Sequence, residues 1–140
     1  MPRQRLSDMD YRKLLEFRTR LRHFDKWSRE QAGELGLTHT QHQLLLAIRG
    51  HPDGRGPTMG EVATYLVVRH HTAVELVDRT QELGLVERQG DVSDHRVVRL
   101  ALTGEGQARL RALTALHLEE LRRLAPTLDA LVTDLPGESG

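Results

Sequence analysis

A mostly helical fold with one small β-hairpin is what this sequence predicts. Three observations carry it. Ser/Thr capping boxes stand ahead of Leu- and Val-rich runs at helical spacing. Two β-rich runs bracket a polar, turn-prone segment. Aromatic residues are only 4% and charged residues 29%, with Leu, Val and Ala dominating the apolar positions, which is the composition of a helix-rich folded chain and not of disorder. The 140 residues suggest one domain over 1–140, since single domains commonly run to roughly 100–200 residues.

Ser7-Asp8-Met9-Asp10 reads as a capping box, and Leu14, Phe17, Leu21, Phe24 and Trp27 follow at helical spacing, predicting a long amphipathic helix over 8–33. Gly33 and Gly36 supply its stop. Thr38-His39-Thr40-Gln41 opens a second helix through Leu44, Leu45, Leu46, Ala47 and Ile48. The segment 50–57, GHPDGRGP, is a loop, with three Gly and two Pro in eight residues. Thr58-Met59-Gly60-Glu61 opens a short helix through Val62, Ala63, Tyr65 and Leu66, which ends in a turn near Val67 and Val68. Residues 69–83 repeat the helical pattern, and Gly84 sits where a helix C′ residue belongs. Leu85–Gln89 and Val97–Leu102 form a hairpin around the charged tip 90–96. Thr103-Gly104-Glu105-Gly106 opens the last long helix. Pro126 predicts the first turn of a separate short helix carrying Leu128, Leu131, Val132 and Leu135, and the tail 136–140 is expected to fray.

Composition removes several classes of function. Twenty basic residues balance twenty acidic ones, so any nucleic-acid surface must be local. Of the basic residues 18 are Arg and two are Lys, so a lone Arg carries little weight. No cysteine is present, which closes disulfides, zinc ribbons and thiol catalysis. No apolar run approaches the roughly 18 residues of a membrane span, and the N-terminal MPRQRLSDMD has no apolar stretch behind it. A cytoplasmic protein is the expectation. Ser7, Ser28, Ser93 and Ser139 lack a nucleophile-elbow context, and Gly54-Arg55-Gly56 is too short for a phosphate loop. Neither an enzyme nor a cofactor is expected.

Short helix, tight turn, second helix, hairpin: this is the winged helix-turn-helix order. The second helix of such a pair fits the DNA major groove, the first braces it, and the hairpin reaches an adjacent minor groove. The module is expected over about 38–102. The flanking helices, 8–33 and 103–135, carry broad apolar stripes and are expected to form a dimerisation region.

Four segments resemble the multiple-antibiotic-resistance-regulator (MarR) family. They are Val77-Asp78-Arg79 near the end of the second helix, Gly84-Leu85-Val86 at the strand start, the wing Asp91/Asp94/Arg96, and Leu102-Thr103-Gly104-Glu105-Gly106 at the last helix. The resemblance implies a homodimer that binds a pseudo-palindromic double-stranded DNA operator and usually represses, released by a small-molecule effector. It departs from the family pattern at Val67, Val68 and Arg69, where a small hydroxyl residue and a nearby Gly are usual, and at His95, where a second Arg is common.

Candidate DNA contacts follow. Arg69, His70, His71 and Thr72 fall in the first turn of the second helix, and Arg96 lies at the hairpin tip, with Asp94 expected to orient an Arg and not to touch DNA. Arg79 reads equally as a phosphate contact or a salt bridge. Thr58 can present free N–H groups of a helix N-terminus to a phosphate. Arg88 and Arg99 are expected on the DNA backbone. His39 and His42, with Phe24 and Trp27, are candidate walls of an effector pocket; ordinary packing is the competing reading. His39 and His42 sit three apart and could chelate a metal, joined by His23 and His117, so a metal-responsive regulator is one alternative, although no metal site is assigned. A second alternative is a winged-helix protein–protein module without DNA binding. Its motive is the net charge of −1 over 68–83, where Arg69 and Arg79 face Glu75, Asp78 and Glu82.

Overall fold

Five helices and one antiparallel hairpin make up the computed structural model, which describes residues 5–133. The order is α1 (Asp8–Glu34), α2 (His39–Gly50), α3 (Met59–Leu66), α4 (His70–Glu82), β1 (Val86–Gly90), β2 (Val98–Leu102) and α5 (Gly104–Thr133). This is the mostly α architecture with a small wing that the sequence predicts. The expected positions of Leu135 and of the tail 136–140 lie outside the described residues.

The described residues divide into two compact units. One holds 31–114 and the other holds 5–30 with 115–133. In the first, Leu44, Leu45 and Ile48 of α2, Val62 and Ala63 of α3, and Ala73 and Val77 of α4 are buried with Leu85, Val86 and Leu100 of the hairpin. The caps forecast from sequence are made. Thr38 accepts from the Gln41 N–H while the Gln41 side chain accepts from the Thr38 N–H, and Thr58 and Glu61 do the same at α3. Each box satisfies two otherwise orphaned donors. Thr103 starts α5 by accepting from the Gly106 N–H at 3.1 Å. A Cβ on Gly106 would stand 2.1 Å from the Leu85 carbonyl oxygen, so the Thr-x-x-Gly spacing joins a cap to a close helix–strand contact.

Three helices end in the same way. Leu37 N–H bonds Ala32, Val68 N–H bonds Ala63, and Leu85 N–H bonds Thr80, each across a left-handed residue. Two of those residues are Gly36 and Gly84. The third is Val67, at φ 55°, a residue that is 89% exposed. A β-branched residue there is strained, because its Cβ crowds the neighbouring carbonyl.

The hairpin register runs from Val86↔Leu102 to Gly90↔Val98. Residues just ahead of α3 lie along its other edge: Thr58 bridges Arg99, and the Leu100 N–H bonds the Pro57 carbonyl at 2.9 Å.

The second unit packs Phe24 and Trp27 of α1 around His117 of α5, with ring centroids 5.8 Å apart for Phe24–His117 and 4.8 Å for Trp27–His117. Ser28 Oγ lies 2.7 Å from His117 Nε2. Leu14, Leu15, Leu21, Leu116 and Leu121 remain exposed.

One expectation is corrected. Pro126 does not start a separate terminal helix; α5 runs through it to Thr133. Proline removes one N–H and costs about 3 kcal/mol in a helix interior. Here Pro126 and Arg122, whose carbonyl loses its partner, are both on the exposed side, where water can satisfy that group. Good helix formers on either side carry the helix past it.

Candidate nucleic-acid interface

The first turn of α4 is presented without a side-chain cap. Arg69 occupies the N-cap and makes no capping hydrogen bond, so the leading N–H groups of the helix stay open. Arg69, His70, His71 and Thr72 are all exposed. The opposite face of α4 buries Ala73, Val77 and Thr80, which fixes which side points out. The first four expected contacts are thus gathered on one exposed end, beside open donors that suit an anionic backbone.

The acids of α4 are partly accounted for. Arg88 of β1 reaches back to Asp78 at 2.6 Å and also donates to the Gln81 side chain. Arg88 therefore secures α4 to the hairpin. Its charge also brings the neighbourhood of α4 from −1 to neutral, which weakens the motive for a protein–protein module. Glu75 and Arg79 are exposed, and no ion pair of either is recorded among the described residues.

At the wing tip two Asp residues each fold the chain back on itself. Asp91 accepts from the N–H and Oγ of Ser93, both at 3.1 Å. Asp94 accepts from the Arg96 N–H at 3.0 Å and from its Nε at 3.2 Å. Those bonds from Arg96 hold the Asp94 carboxyl below the usual carboxylate range. Arg96 is nevertheless 90% exposed, so Asp94 aims the guanidinium without burying it.

Arg99 does not sit where it was expected. Its side chain is only 14% exposed and turns inward to Asp91 at 3.3 Å and to the Gly56 carbonyl at 2.9 Å, so it is not available to the DNA backbone. An Arg on an alternating strand carries no mark in the sequence of which face is covered; the loop 53–58 covers it here.

Thr58 is half-buried, and its hydroxyl is engaged in the cap of α3. Sequence reasoning passed over the group attached to that cap. Glu61 also pairs with His51 Nε2 at 3.2 Å, and His51 Nδ1 lies 2.9 Å from the Tyr65 hydroxyl. Hydrogen bonds from Thr58, its N–H first and then its hydroxyl, hold the Glu61 carboxyl low. It also passed over Asp53 and Arg55, which pair at 2.8 Å. Hydrogen bonds from Arg55 hold Asp53 far below the usual range. A signal for this pair was present: Asp53-Gly54-Arg55 repeats the Asp-x-Arg pattern of Asp94-His95-Arg96, and both fold the same way.

The candidate effector residues fall in different units. Phe24 and Trp27 line the aromatic cluster around His117. His42 is buried in the other unit. His39 lines a groove of about 290 Å³ beside α4, together with Leu66, Thr72, Glu75, Leu76 and Arg79. Its Nδ1 is buried and has no hydrogen-bond partner among the described residues. No group of three His, Asp or Glu side chains placed to hold a metal occurs among the described residues.

A braced helix pair, an outward helix start and a flanking hairpin with an arginine tip define a winged helix-turn-helix protein. Residues 35–97 match the model of the MarR family. The HTH-type transcriptional regulator YsmB of Bacillus subtilis (strain 168) is 37% identical over 65 residues, covering 46% of this chain. The match spans 44% of YsmB's own length, less than half of that curated relative. Among solved structures, the Staphylococcus aureus MepR–DNA complex superposes with TM-score 0.64 at 22% identity, over 89% of this chain and 85% of that one. The Bacillus subtilis YusO protein gives TM-score 0.65 at 20% identity, over 86% and 92%. These likenesses establish the fold.

Proposed function

We propose that this protein is a transcriptional regulator that binds double-stranded DNA sequence-specifically. The observation that carries the reading is the exposed, uncapped first turn of α4, with Arg69, His70, His71 and Thr72, in the same unit as the outward Arg96 of the wing. In this reading α4 enters a major groove and Arg96 an adjacent minor groove. Arg79 meets a phosphate, whereas the Thr58 and Glu61 N–H groups are already taken by the cap of α3 and the Glu61 carboxylate stands beside them, so the phosphate contact expected at Thr58 is not part of this reading. Arg88 and Asp94 act indirectly, by holding α4 and Arg96. The name of YsmB and the DNA in the MepR complex support the same reading.

The finer parts are also proposals. Chains 1–140 pair as a homodimer through α1 and α5, whose exposed leucines in the unit 5–30 and 115–133 need cover. A dimer reads a pseudo-palindromic operator with two equivalent helices, and occupancy of a promoter represses. The His39 groove supports an effector reading, because a small molecule there would touch Thr72 and Arg79, which this reading gives to DNA. A regulator of this kind works in the cytoplasm and is not an enzyme.

A gel shift of the purified protein against upstream genomic DNA at two salt concentrations tests the reading. A discrete complex that weakens with salt is expected. The absence of any complex at low salt contradicts it.

A further inference from the structure

We propose that Arg99 is the positioning residue of the wing, tying the tip that carries Arg96 to the loop that starts α3. The inference rests on the DNA-binding reading above.

A two-stranded hairpin is marginally stable on its own and free to twist. In this one a third segment is laid along β2. Pro57 accepts from the Leu100 N–H at 2.9 Å, and Thr58 bridges Arg99. The approach is so close that a Cβ on Gly56, at φ 92°, would stand 2.2 Å from the Leu100 carbonyl oxygen. Arg99 fastens this seam with its side chain. Its Nη1 donates to the Gly56 carbonyl on the loop side, and its Nε donates to Asp91 on the tip side. Asp53 lies 3.9 Å from Nη1, and Arg55, paired to Asp53, lies 3.9 Å from Asp91.

Asp91 is the base of the tip. Its N–H closes the 91–97 turn on the Val97 carbonyl, its carboxylate holds Ser93, and its side chain is only 6% exposed. A covered guanidinium stays favourable only while its partners are in place. Losing Arg99 therefore leaves a covered Asp91 carboxylate short of a partner and releases the tip from the loop. A continuous bonded path runs from the Arg96 turn through Asp91, Arg99 and Gly56 to the Thr58 cap of α3. The wing and the helix pair are thereby held as one reading head.

The test uses the full chain and the tightest duplex that the parent selects from a random-sequence pool. Arg99→Met and Arg99→Lys should both weaken binding, approaching the loss for Arg96→Ala, about 5- to 150-fold. Lysine restores the charge but not the two-directional fork. The slope of log affinity against log salt should be unchanged, whereas loss of a phosphate contact lowers it by about 0.9. Adding Arg96→Ala to Arg99→Met should cost less than in the parent, because the tip is already misplaced. Amide exchange of residues 92–97 should accelerate in Arg99→Met, with exchange in the buried face of α4 unchanged. Should Arg99→Met fail to fold, Asp91→Asn weakens the same link from the other end and carries the same expectations. Parent-like affinity, full rescue by Lys, a reduced salt slope or strictly additive losses would each overturn the proposal. If the parent binds no duplex, the exchange measurement separates the cases: faster tip exchange retains the clamp and refutes the DNA reading, while unchanged exchange refutes the clamp.

Discussion

Arg96 meets DNA, in this account, as a guanidinium aimed in advance. Asp94 holds its N–H and Nε, yet the side chain stays in solvent, so little ordering cost remains when a minor groove receives it. Arg96→Ala should lower operator affinity by about 1–3 kcal/mol, as for a good groove contact, and leave the domain folded, with only the small drop in melting temperature that follows from losing its exposed pairing with Asp94; titration by fluorescence anisotropy alongside a thermal scan checks both. At this scale the sequence was partly legible. The outward Arg69, His70, His71, Thr72 and Arg96 follow from position on the helix and on the tip. Arg99 did not, because its partner carbonyl at Gly56 is 43 residues away and no local pattern announces which face of a strand a loop will cover. The Glu61–His51–Tyr65 group was missed for the same reason.

The elements were more legible than their joints. Capping boxes and apolar periodicity placed α1 to α4 and the hairpin because both signals are local. The path through Pro126 was not visible, since the short-range rule against proline is outweighed by helix formers on both sides and an exposed carbonyl. Val67 is a joint with a measurable cost. Left-handed backbone costs an L residue roughly 1–2 kcal/mol, and Gly gives back about 0.5–1 kcal/mol through its looser unfolded chain. Val67→Gly should raise stability by up to about 1.5 kcal/mol in urea unfolding; a lower midpoint would contradict the strain assigned to Val67. The loop and wing carboxylates set a pH dependence. Asp53, Asp91 and Asp94 are held low, chiefly by hydrogen bonds from Arg55, from the Ser93 N–H and from Arg96. Groups depressed on folding contribute stability that is fully present above their unfolded pKa near 4 and is lost as pH falls through their folded values. The melting temperature should therefore drop as pH is lowered from about 5 to 3, and Asp53→Asn should flatten that drop. An unchanged profile would show that Asp53 keeps the same pairing in the unfolded chain.

For the whole molecule, the two compact units divide the labour. The unit 31–114 carries the family match and every proposed DNA contact, and the unit 5–30 with 115–133 carries the exposed leucines of α1 and α5. Sedimentation of the intact chain should give about twice the 15.9 kDa chain mass. A monomer at micromolar concentration would remove the paired reading heads and leave a single half-site. Sequence-specific reading by α4 and the wing is the central claim, and hydroxyl-radical footprinting on upstream genomic fragments addresses it most directly. The expected result is a few discrete protected patches on one face of the duplex, related by approximate two-fold symmetry and lost in Arg96→Ala. Uniform protection along the fragment, or none at low salt, would contradict it.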